Sequence, residues 1–182
     1  MVAQFTTIGH STRSLNEFLD MLRQAQVELL VDIRSFPRSR TNPSFNIDRL
    51  PADLAKVQIG YVHCPSLGGR RGKQTGIDKT INAMWRVQSF HNYADYASGD
   101  EFRTAFDDLL LLGRNNRLAL MCAEAVWWRC HRRIITDYLL LTGHEVDHLM
   151  ARDRVTHAFA TPGAQMTAEG TVIYPEAGFA HE

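Results

Sequence analysis

Two runs of the chain, residues 27–33 and 118–122, are apolar at almost every position and too short to be buried helices. An extended run that is apolar on both faces suits a central strand of a parallel sheet, because helices cover such a strand above and below. Stretches of helical period separate these runs. Residues 4–8 are β-rich and end at Gly9-His10-Ser11, and Ser14 with Glu17 has the S-x-x-E form of a capping box. Leu15, Phe18, Leu19 and Leu22 then recur on one helical face.

The same reading gives a helix over 47–57, a strand at 59–63 and helical pieces over 78–98. A helix over 100–112 has acids in its first turn and Gly113 placed as a C-terminal cap. A helix over 126–141 is closed by Gly143, and a last core strand runs over 145–149. This alternation predicts an α/β fold: a Rossmann-like three-layer domain over residues 1–150, with a mainly parallel sheet of about five strands. Residues 151–182 lose periodicity and read as an irregular C-terminal tail with one candidate strand at 171–174.

Composition narrows the function classes. The 182 residues are 45% hydrophobic and 22% charged, which suits one globular domain and excludes collagen-like, coiled-coil or disordered chains. No apolar stretch is long enough to span a bilayer, so no membrane partner is expected. The first five residues lack a basic n-region and an apolar h-region, so no signal peptide is expected. Three widely spaced cysteines argue against a disulfide framework and for a reducing cytoplasm. The net charge of zero conceals a segregation: residues 34–86 hold ten Lys and Arg against three acids, whereas residues 87–113 hold one Arg against five acids. A basic segment of this kind is either a phosphate or nucleic-acid footprint or a set of loops neutralised by neighbouring acidic helices.

In open parallel sheets the ligand crevice lies beyond the carboxyl ends of the strands. The expected strand ends carry Gly9-His10-Ser11, Asp32-Ile33-Arg34, His63-Cys64 and Cys122-Ala123-Glu124, which would share one rim. His10 is a candidate imidazole catalyst or a loop histidine. Asp32 closes an apolar strand, where a lone charge is costly, and Arg34 is its expected ion-pair partner. Glu124 is a candidate general acid or base if partial burial raises its carboxyl; pairing with Arg129, Arg132 or Arg133 is the alternative. Cys122 sits between a strand and a helix, where a thiol can be activated. Cys122, Cys130 and His131 also invite zinc or iron, although C-x7-C-H is not a common zinc spacing. Gly68, Gly69 and Arg70 begin a glycine-rich basic loop that reads as a phosphate cradle or as a flexible loop. The aromatic residues of 90–96 read as core filling before base stacking.

Thr7-Ile8-Gly9-His10-Ser11, Val31-Asp32-Ile33-Arg34 with Pro37 and Ser39, Leu67-Gly68-Gly69, Leu120-Met121-Cys122-Ala123-Glu124 and Cys130-His131-Arg132 together resemble the domain of unknown function 488 family. The order and spacing match from about residue 5 to residue 150, with Trp127-Trp128 as a departure in the turn before Cys130. The resemblance implies a small cytoplasmic prokaryotic α/β protein and brings no established activity.

Three readings follow. The leading one is an enzyme acting on a phosphate-bearing nucleotide or nucleic-acid component. In it His10 and Glu124 do acid/base work and Asp32 orients, while Ser11, Arg34, Arg38, Gly68, Gly69, Arg70 and Arg132 hold phosphate, with no cofactor. The second is a thiol- or metal-dependent enzyme centred on Cys122, Cys130 and His131. The third is a non-catalytic module binding nucleic acid or a protein through the basic segment.

Overall fold

The computed structural model of the chain describes residues 4–177. Residues 1–3, where no signal sequence is expected, and the end of the tail from Gly178 lie outside the described residues. The apolar runs form strands of one sheet: β1 (Gln4–Gly9), β2 (Leu29–Asp32), β3 (Gly60–His63), β4 (Leu118–Cys122) and β5 (Glu145–Ala151). All five are parallel, and an antiparallel edge strand, β6 (Arg154–His157), completes the order β3-β2-β4-β1-β5-β6.

The period of two along these strands sorts side chains into two cores. Ile8, Leu30, Ala119 and Met121 face α1 (Leu15–Gln24) and α2 (Leu50–Ala55) on one side. Phe5, Val31, Leu118, Leu120 and Cys122 face the other side, covered by α3 (Gln88–Ala97), α4 (Asp100–Asn115) and α5 (Arg132–Leu141). Helix α1 starts as its capping box requires, with the Ser14 hydroxyl accepting the Glu17 N–H at 3.1 Å.

Two expected helix ends are corrected. Gly113 does not cap α4; it lies inside the helix, where a Cβ would come within 2.4 Å of the Phe5 ring, so the glycine permits close helix–sheet packing. The helix expected over 126–141 is broken: residues Trp127–Arg129 form a separate 3-10 turn and α5 begins only at Arg132. Past β6 the chain forms a two-strand ribbon, β7 (Gln165–Met166) and β8 (Val172–Ile173), and Tyr174 is fully buried against the α5 layer. Among the described residues, no helix is long and apolar enough to cross a membrane.

Candidate functional site

Strand parity aims Cys122 at the α5 layer, and the broken helix delivers Cys130 to the same place. Their sulfurs lie 3.0 Å apart, both buried. Cys130 also accepts the Arg132 backbone N–H at 3.4 Å and has His131 Nδ1 at 3.4 Å. Burial opposes ionisation of Cys130. The Cys122 S–H, the His131 ring and the Arg132 guanidinium outweigh it and hold this thiol well below its ordinary value. Cys122 moves the other way, pushed well up by burial and by the adjacent Cys130. Of the two thiols, Cys130 is therefore the one held toward its ionised form and Cys122 the one held toward its neutral form.

The His131 ring is fixed from three sides. Its Nε2–H donates to the Ile33 carbonyl at 3.2 Å, its ring lies 5.1 Å from that of Tyr93, and Gly69 passes so close that a Cβ there would lie 2.4 Å from Nδ1. The glycines at 68 and 69 thus serve close packing, since a Cβ on Gly68 would meet Ser35 Oγ at 2.4 Å. Of the two, Gly69 lines the cleft beside the cysteines and Gly68 lines neither of the two clefts described below.

Arg132, expected among the phosphate-holding residues, is instead 2% exposed and turned inward. Its guanidinium donates to Thr7 Oγ1 at 3.2 Å and to the Glu124 carbonyl at 2.6 Å. Burial lowers the affinity of this guanidinium for its proton, but the charge on the cysteine pair more than restores it and leaves it raised. The Glu124 carbonyl is also what crosses over the end of β1: a Cβ on Gly9 would lie 1.9 Å from it. Thr7 continues the polar chain to its sheet neighbour His148, whose Nδ1 is 2.7 Å from Thr7 Oγ1 and whose ring stacks on Trp127 at 4.5 Å. Burial, reinforced by Arg132, pulls the His148 imidazole down to about 4. The sequence reading missed this chain of residues; the signal lies in the Thr7–His148 register across β1 and β5, which appears only once the strands are paired.

Asp32 and Arg34 form the expected ion pair, with both carboxylate oxygens accepting from the guanidinium at 2.8 and 2.6 Å. Tyr61 donates its hydroxyl to the same carboxylate at 2.6 Å. Arg34 Nη1 lies 3.3 Å from His10 Nε2, and a guanidinium can only donate, so that nitrogen is the acceptor. The proton of His10 is then on Nδ1, bonded to the Ser11 carbonyl at 3.0 Å. Burial, with Arg34 adding to it, holds this imidazole below its ordinary value.

Two clefts open on this assembly. The first, about 260 Å³, is lined by Cys122, Cys130, His131, Glu124, Arg34 and Arg70 among others. The second, about 360 Å³, is lined by His10, Ser11, Arg34, Arg38, Ser39 and Arg70 among others. Arg34, Phe36, Arg70 and Ala123 border both, so the clefts adjoin. Phe36, which the sequence reading did not single out, is 66% exposed at this junction. Glu124 is exposed, which corrects the expected partial burial of its carboxyl; Oε1 accepts the nearby Val126 N–H at 3.4 Å.

Other expected rim members lie elsewhere. His63 bonds the Arg34 carbonyl at 2.8 Å, and neither it nor Cys64 lines either cleft. Tyr93 and Tyr96 are core residues, 1% and 7% exposed. Part of the basic segment is paired locally, as in Lys56–Asp53, Arg71–Glu101 and Arg86–Glu176. Among the described residues, no three His, Cys, Asp or Glu side chains are arranged to hold a metal ion. The cysteine sulfurs are also too close, since two sulfurs bound to one tetrahedral zinc would lie roughly 3.8 Å apart.

A family model described as "Domain of unknown function DUF488" matches residues 14–139. No curated protein and no solved structure matches the chain.

Proposed function

Because the chain belongs to the DUF488 family, a domain of unknown function, its activity has to be read from its side chains, and we propose that it is a thiol–disulfide oxidoreductase. Cys130 is the nucleophile and Cys122 the resolving thiol. The observation that carries this reading is the 3.0 Å approach of the two sulfurs, supported by surroundings that hold the Cys130 thiol below its ordinary value. An acid/base mechanism through His10 and Glu124 has less support: both ring nitrogens of His10 are already bonded and Glu124 is exposed.

The Cys130 thiolate attacks one sulfur of a substrate disulfide. The substrate S–S bond breaks, one half leaves as a thiolate that takes a proton from water, and a mixed disulfide remains on Cys130. Cys122 then attacks Cys130 Sγ and expels the second half, which receives the Cys122 proton. Two electrons have passed to the substrate and the protein holds a Cys122–Cys130 disulfide. A low-molecular-weight thiol reduces it by the reverse exchange, so the reading implies a reducing compartment such as the cytoplasm.

The test is alkylation by iodoacetamide across pH, with the modified residue located by peptide mass. Cys130 should react first, with a midpoint well below the ordinary thiol value of 9.0, and Cys122→Ser should move that midpoint up. A small aromatic disulfide should leave a protein lighter by two hydrogens and cross-linked between residues 122 and 130. A Cys130 that stays unmodified in the folded protein, or oxidation that stops as a mixed disulfide on Cys64, overturns the reading.

A further inference from the structure

The cleft beside the thiols has its own chemistry. It contains three arginines, Arg34, Arg38 and Arg70, and three hydroxyls, Ser11, Ser39 and Thr41, and none of the side chains lining it is a carboxylate. At about 360 Å³ it falls in the size range of small-molecule sites. We propose that it seats a phosphoryl group of the molecule on which the cysteines act, an inference that rests on the thiol reading for the second half of that statement only.

The arginines are prepared for this in different ways. Arg34 is rigid: Asp32 takes two of its N–H groups, the Phe45 carbonyl a third and His10 Nε2 a fourth, which leaves one hydrogen on Nη1 for a ligand. The ion pair with Asp32 cancels its charge, so the attraction for an anion comes from the other two. Arg38 meets Asp48 at 3.2 Å, but both side chains are more than half exposed, and such a pair is weak and readily exchanged. The Arg70 guanidinium rests over the Phe36 ring at 5.2 Å, a contact that leaves its edge N–H groups available. A planar guanidinium matches two phosphate oxygens at once, which favours a tetrahedral oxyanion over a halide.

The loop that carries these groups is fixed before any ligand arrives. Ser39 N–H donates to Asn46 Oδ1 at 2.6 Å, Asn42 N–H donates to Ser39 Oγ at 3.3 Å, and the Asn42 side chain ties the loop to the Ser11 carbonyl at 2.5 Å. Ser11 itself is held at φ 42°, a left-handed backbone that a non-glycine residue adopts only when its surroundings impose it. A loop held in this way loses little entropy on binding. Because Arg34, Phe36, Arg70 and Ala123 border both clefts, a molecule anchored by its phosphoryl group can extend past them to the sulfurs.

Calorimetric titration with inorganic phosphate, pyrophosphate and a nucleoside 5′-diphosphate at low salt tests the site. One saturable site is expected for phosphate or pyrophosphate, weakened roughly tenfold by Arg70→Ala and again by Arg38→Ala, at about one charge-assisted hydrogen bond each. Lys79→Ala, which removes the same charge outside both clefts, should leave binding unchanged. A tighter nucleoside diphosphate would assign the phosphoryl group to a nucleotide; equal affinity for pyrophosphate would confine recognition to the phosphates. Absence of saturable binding, or binding that survives the Arg38→Ala, Arg70→Ala double variant, overturns the proposal. Phosphate binding by a protein whose Cys130 resists alkylation would instead overturn only the thiol reading.

Discussion

The Cα of Gly69 lies so close to the His131 imidazole that an added methyl group would sit 2.4 Å from Nδ1, the ring nitrogen that faces Cys130. The absence of a side chain at position 69 therefore sets the orientation of the His131 ring beside Cys130 Sγ.

Gly69→Ala should fold, because the ring can rotate away, but it should lose the His131 contribution to the Cys130 thiolate. The pH midpoint for alkylation of Cys130 should rise. An unchanged pH–rate profile would show that His131 does not act on this sulfur. Circular dichroism of the variant separates the effect from unfolding.

Asp32→Asn should be among the most damaging single changes. Asp32 is wholly buried and accepts from Arg34 and Tyr61; the substitution leaves the Arg34 guanidinium, 6% exposed, without its counter-charge. Breaking a buried pair from one side costs about 3–5 kcal/mol, so the urea midpoint should fall accordingly. A loss below about 1 kcal/mol would mean that His10 and the Phe45 carbonyl suffice to hold Arg34.

Acid should destabilise the fold well above the range where carboxylates titrate. His148 has an ordinary value of 6.5 when unfolded and about 4 when folded, so between these the unfolded chain binds a proton that the folded one refuses. Stability is then complete above pH 6.5 and declines as pH falls toward 4, by roughly 3 kcal/mol for this group. His10 shifts in the same direction and adds to the slope. Urea unfolding of the wild type and of His148→Gln at several pH values between 5 and 7.5, should show a smaller slope in the variant. Identical slopes would remove His148 from the explanation.

Tyr174→Phe should loosen the chain after β6. Its hydroxyl donates to Asp137 Oδ2 at 2.7 Å while Thr161 N–H donates to Oδ1 at 2.7 Å, and both Tyr174 and Asp137 are buried. Losing the hydroxyl strands a buried carboxylate oxygen at about 1–3 kcal/mol. Faster amide hydrogen exchange over residues 161–174 would localise the effect, and unchanged exchange there would refute it.

Much of this architecture is visible in the sequence because it depends on local pattern. Short apolar runs and the Ser14–Glu17 box mark strands and a helix start without help from the rest of the chain. Residues that follow strands reach one rim because parallel strands end on one side, which is why His10, Arg34, Cys122 and Glu124 fall near each other. Tertiary contacts are different. Residues 126–141 have continuous helical character, and nothing local shows that the helix breaks and turns Cys130 toward Cys122. Gly69 and Gly113 read as loop and cap glycines, although their real constraint is a ring arriving from a distant part of the chain. Glu124 shows the opposite case: the strand before it is buried, but its own side chain has already left the core.

Arg132 is a cation in the protein interior whose nearby hydrogen-bond acceptors, Thr7 and the Glu124 carbonyl, are neutral, and on the thiol reading proposed above a Cys130 thiolate supplies the charge that balances it. Any event that turns Cys130 into neutral sulfur, whether a disulfide, a mixed disulfide or an alkyl adduct, leaves that cation uncompensated. On that reading, chemistry at the sulfur and cohesion of the domain become one equilibrium: the reduced protein should be the firmer state, with the fold itself pulling toward regeneration of the thiolate.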